Sequence, residues 1–341
     1  SIDLASGNAQ LSSGNVMFQT GSALAGASGS IGLQTGDSTS NSGEVSMKGG
    51  SSLGSIGASL VLNAGSSETA TGGSISISSG HSTATTGSIQ VTSASSVSQS
   101  GAINVNTGIA QSGTSGSVAL TSGESLGRSG GISLSVGDSA DSQSANILIA
   151  AGASATSTGG SVNLVSGASG NAVGGNINLE TSSSESSSGA VRLQSGSSVT
   201  GASGSIKLRA GSNLGSDGSA RVTIQAGSSS SGFGGNVDIS AGKSQQQTGG
   251  MMSIRSGASD TQASGNVIVS TATSVSQTGV VEIATGASET LGSGSIVMST
   301  GSAAGGSAGD LLLQTGKSFE KSGSIVLSAG DSAEGGNIQL S

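Results

Sequence analysis

The sequence predicts an all-β fold, an elongated β-solenoid of about 24 short repeats, and three observations carry that expectation. The chain is self-similar from end to end, with a period of about 14 to 15 residues. Within each period apolar and polar residues alternate, the pattern of an extended segment with one face buried, and no window shows the helical beat. Pro, Trp, Tyr and Cys are absent from the 341 residues, while Gly numbers 62. A chain that pairs its backbone along its whole length has no place for Pro, and a narrow core has none for large rings.

The repeat is read from its first position onward. Almost every copy runs Gly, polar, Ile or Val, any, Leu/Ile/Val, any, small, Gly, any, Ser, then a short Ser/Thr/Ala/Gly stretch. Gly204-Ser205-Ile206-Lys207-Leu208-Arg209-Ala210-Gly211 is one copy, and Gly160 to Gly167 another. The third, fifth and seventh positions are expected to point inward. The third is aliphatic, from Ile2, Val16 and Ile31 to Ile325 and Ile338, at spacings of about 13 to 16 residues. The fifth is larger and varied, as in Phe18, Leu33 and Met47, and the seventh is small, as in Thr20, Ser79, Ala210 and Thr315. Gly at the eighth position predicts a turn with positive φ or a close backbone approach. Ser stands two residues later in most copies, among them Ser52, Ser169, Ser244, Ser259 and Ser332, and reads as a second inward site. The twelfth and fourteenth positions then continue a second strand. One repeat per coil is the simplest architecture, with three repeats per triangular coil as the alternative. Two aliphatic side chains cannot offset the ordering of a whole coil, so stability is expected to belong to the stack.

Domain organisation follows from a longer period. The eighth-position Gly is replaced by Ala94, Ser182 and Ala272 at intervals of six repeats, and Ile89–Gln99 closely matches Val267–Gln277. The chain therefore reads as a single continuous array over 1–341, in four superrepeats spanning 1–87, 88–174, 175–264 and 265–341. It opens and closes inside a repeat, the expected character of a window of a longer chain.

Composition narrows the function. Aromatic residues at 1% and charged residues at 8% cannot build the thick core of a compact domain. A net charge of -8 disfavours nucleic acid and anionic membranes as partners, and no apolar run approaches a membrane span. Without Cys there is neither a disulfide nor a thiolate metal site.

Local motifs point away from chemistry. Gly242-Lys243-Ser244 and Gly316-Lys317-Ser318 echo the end of a phosphate-binding loop, but Val237 and Leu311 stand where that loop needs its first Gly. His81, the only His, occupies a variable turn site and makes neither a metal centre nor a triad. Asp recurs too sporadically for a calcium-binding β-roll. The outward fourth position runs Met17, Gly32, Ser46, Val61, Ser76, Gln90, without the regular Thr array of an ice-binding face, and no loop projects to carry catalytic carboxylates. The sequence thus predicts no enzyme, no cofactor and no metal. Arg192, Lys207, Arg209 and Arg221 form at most a small basic patch on a solvated face. Near the C-terminal end the fourth position turns apolar at Ile268, Val297, Leu312 and Val326, interrupted by Glu282, a candidate lateral contact.

This repeat grammar resembles the Gly/Ser-rich β-solenoid arrays of large secreted adhesins, surface fibres and hair-like appendages. The resemblance implies an extracellular or cell-surface structural component of a filament or appendage, partnered by itself or by other filament subunits and open to O-linked glycans. A surface-adhesin stalk is the alternative, and an ice-binding solenoid a lesser one.

Overall fold

The structure, a computed structural model, describes residues 2–140, 143–213, 215, 218, 220–330 and 335–339. Ser332 lies outside the described residues. Internal contacts divide the chain into two units, Ser1–Asn163 and Leu164–Ser341.

The β-solenoid expectation is overturned. Among the described residues there is neither strand nor helix, and no side chain, apolar or polar, is buried. The accessible surface is 34411 Å². For 31.7 kDa a compact domain exposes about 12,000 Å² and a fully extended chain about 46,000 Å². The backbone bonds show why no ladder forms. One repeat per coil requires pairing across 14 to 15 residues, and a three-repeat coil across about three times that. The nine backbone–backbone bonds present among the described residues span only seven or eight residues, each closing a short loop between the eighth position of one repeat and the first of the next.

Each such bond joins the N–H of a first-position residue to the carbonyl of the preceding eighth-position Gly, and forms a neck. In Ser1–Asn163 the necks are Ala58 to Gly50, Gly73 to Gly65, Gly87 to Gly80 and Gly160 to Gly152, at 3.0, 2.8, 3.4 and 2.9 Å. In Leu164–Ser341 they run from Gly175, Gly204, Gly235, Gly250 and Gly265 to Gly167, Gly196, Gly227, Gly242 and Gly257. The first-position Gly is required by close approach. A Cβ on Gly250 would stand 3.1 Å from Gly242 N and 3.4 Å from the Ala241 Cβ. Where Ala58 takes the first position, the seventh-position residue across the neck is Gly49, on which a Cβ would meet the Ala58 carbonyl at 2.9 Å. The eighth-position Gly is not held by its own conformation: positive φ occurs, among the described residues, only at Gly113, Gly218 and Gly335.

The seventh residue gates the neck. Fifteen-residue repeats close when it is Gly49, Ala64, Ala151, Ser166, Ser195, Ala226, Ala241 or Ser256. Repeats of the same length with Thr20, Thr107, Thr285 or Thr300 make no neck bond. The cause is the extra methyl of Thr, which faces the first-position Gly: a Cβ on Gly29 would lie 3.4 Å from Thr20 Cγ2, and one on Gly116 3.5 Å from Thr107 Cγ2. That methyl props the two backbones apart.

The Ser two residues beyond the eighth position is not an inward ladder residue. Its hydroxyl oxygen accepts a backbone N–H from its own loop, the local Ser turn that competes with extended pairing. The choice of donor follows repeat length. In fourteen-residue repeats the donor lies two residues on, as from Ser40 to Ser38, Ala84 to Ser82 and Gly127 to Ser125. In fifteen-residue repeats it lies three residues on, as from Ala70 to Ser67, Ala172 to Ser169 and Gln262 to Ser259. The sixteen-residue repeat carries Asn213 instead, whose Oδ1 accepts from Gly215 N while Nδ2 donates to the Gly218 carbonyl. Ser259→Ala is expected to remove the acceptor for Gln262 N–H and speed its hydrogen exchange severalfold, from a bond of about 1 kcal/mol, while Ser259→Asn keeps it.

Exposure along the repeat retains part of the expected order. The residues most covered are seventh-position side chains such as Ser166, Thr181, Ser195 and Ala226. The third position is about half exposed and the fifth more so, Ile206 at 52% and Leu208 at 69%. Leu208 therefore lines no dry aliphatic stack. In the isolated chain Leu208→Asp and Lys207→Asp should give the same circular dichroism, where a buried stack would have been disrupted by the first alone.

Candidate interaction surface

The four apolar fourth-position residues belong to Leu164–Ser341, and each stands out from the backbone: Ile268 at 80%, Val297 at 82%, Leu312 at 77% and Val326 at 81% exposed. Nothing covers them. The stretch that carries them has a second property that sequence reading missed. Between Gly265 and Gly330 no backbone group bonds to another. Its four complete repeats have Thr271, Thr285, Thr300 and Thr315 at the seventh position. The necks there are the widest of the Thr class, since Cβ atoms on Gly279, Gly294, Gly309 and Gly323 would lie 3.7, 3.7, 4.0 and 3.8 Å from the nearest Thr carbons. The consecutive Thr residues were the available signal, hidden because Thr, Ser and Ala were read as one small class.

Loop tips add further apolar surface. Val275 and Phe319 directly follow the loop Ser and are fully exposed, as are Leu53, Val97 and Leu126. A depression lined by Lys317, Ser318 and Phe319 consists of three consecutive residues of one loop and encloses nothing.

The remaining candidates stay apart. His81, Lys243 and Lys317 lie exposed in separate loops. Arg192, Lys207, Arg209 and Arg221 are likewise exposed. No group of His, Asp and Glu among the described residues could hold a metal ion. No helix is long and apolar enough to cross a membrane among them.

No protein family, curated protein or solved structure matches the chain.

Proposed function

We propose that this chain is a structural component of an extracellular filament or appendage and works by association with copies of itself or with other filament subunits. The observation that carries this reading is the contrast between about 24 aliphatic repeats and the absence of any buried side chain among the described residues. Apolar surface repeated at this regularity gains stability only when another surface removes it from water. Catalysis plays no part in the proposal: the polar groups of the repeat serve its loops, and cofactors are not required. Electron microscopy of the native material tests it. Fibres containing this chain support the proposal, and a dispersed monomer at working concentration overturns it.

A further inference from the structure

We propose that Val267–Leu327 is the contact by which two copies of this chain lie side by side, antiparallel, about a two-fold axis through Val297. The proposal rests on the self-association reading above and gives it one specific geometry.

The spacing of the fourth-position residues reads the same in both directions. Ile268 and Val326 each lie 29 residues from Val297, and Glu282 and Leu312 each lie 15. In an antiparallel pair centred on Val297, Ile268 therefore meets Val326 of the other copy, and Val297 meets Val297. The loops match under the same reversal, setting the fully exposed Val275 opposite Phe319.

Charge chooses between the two directions. The segment carries Glu282, Glu289, Asp310, Lys317, Glu320 and Lys321. Parallel, in-register copies would set each of the six against its own like charge, which is destabilising for directly opposed side chains. The antiparallel pair sets Glu282 opposite Leu312, Glu289 opposite Gly305 and Asp310 opposite Ala284. Lys317 then faces Gln277, Glu320 faces Ser274 and Lys321 faces Thr273, so no like charges are opposed.

The open necks supply the backbone partners. Between Gly265 and Gly330 the amides of Gly279, Gly294, Gly309 and Gly323, which would close necks, bond to no backbone carbonyl within the chain. The reversal also brings each propping Thr opposite a first-position Gly of the other copy: Thr271 to Gly323, Thr285 to Gly309, Thr300 to Gly294, Thr315 to Gly279. A two-fold contact of this kind closes on itself, so growth along a fibre uses other residues.

The stretch from Ile89 to Ser133 serves as an internal control, since it also lacks backbone–backbone bonds but carries Gln90, Asn104, Ala119 and Ser133 at the fourth position. The absence of native Cys makes single-cysteine variants of the full chain clean probes. On mild oxidation Val297→Cys should yield about tenfold more covalent dimer than Asn104→Cys, because a disulfide needs close Cα atoms. Ile268→Cys mixed with Val326→Cys should cross-link comparably, while Ile268→Cys alone stays at the Asn104→Cys level. Self-cross-linking of Ile268→Cys at the Val297→Cys level would mean a parallel contact and overturn the proposal. Val297→Cys at the control level overturns it as well. Sedimentation of the unsubstituted chain separates the two readings: association without these cross-links removes only the antiparallel contact, and a strict monomer removes self-association too.

Discussion

Heated, or titrated with urea, the isolated chain is expected to show no cooperative unfolding transition. Cooperativity and the steepness of denaturation both derive from surface that becomes exposed all at once. From 34411 Å² to the extended limit of about 46,000 Å² leaves about 12,000 Å² to expose, a third of what a compact protein of this size would. That remainder is spread over independent loops, most of them closed by a Ser turn, a neck bond or both, and none lends stability to its neighbours through a shared core. Calorimetry should show a flat or gently sloping heat capacity, with far-UV circular dichroism changing linearly. On assembly a sharp transition should appear and depend on concentration, because burial is then shared between chains. A sharp, concentration-independent melting peak from the dispersed chain would contradict the structure.

The neck gate can be switched in both directions. Thr285 lies in a fifteen-residue repeat with Gly286, a bonded Ser288 and Gly294 all in place, so its methyl alone separates it from the closed class. Thr285→Ala is expected to close the bond from Gly294 N–H to the Gly286 carbonyl. Ala241→Thr is expected to break the 2.9 Å bond from Gly250 to Gly242. With a net worth of about 1 kcal/mol, such a bond slows exchange of its amide about fivefold. Hydrogen exchange on the dispersed chain should therefore show Gly294 gaining that protection in the first variant and Gly250 losing it in the second. Ala241→Ser should leave Gly250 unchanged, as Ser166 and Ser256 occupy closed necks. Unaltered exchange at Gly250 in Ala241→Thr would mean that the seventh side chain does not control closure.

Much of the repeat's internal logic was legible without coordinates. The third and fifth positions, both read as inward, stand half exposed or more, while the smallness of the seventh marks where the chain crosses itself most closely. The eighth-position Gly was read as a positive-φ turn or a close approach, and neither holds there: a Cβ on Gly242 or Gly167 would meet nothing within 4 Å, and the crowded Gly is the first of the repeat, whose carbonyl partner is the eighth. The exchange of Gly49 with Ala58 was visible in the sequence and would have identified this pair. Ser was misplaced. Its regular register resembled a buried ladder, yet the same register serves a hydroxyl that must sit a fixed distance from its own loop's amides. The lateral candidates were read as apolar and outward and stand exposed, but the Thr-propped necks around them were not anticipated.

By itself the sequence determined the period, the alternation of faces, the positions that must be small and the length of each loop. Period-two alternation states which side chains share a face, but it carries no information about which backbone lies alongside. Only the tertiary structure decided that. A first-position amide finds the carbonyl eight residues behind it, where closure orders few residues, before it can find one a full repeat away. The neck and the Ser turn use that short distance, and the segments between them keep their aliphatic faces in water.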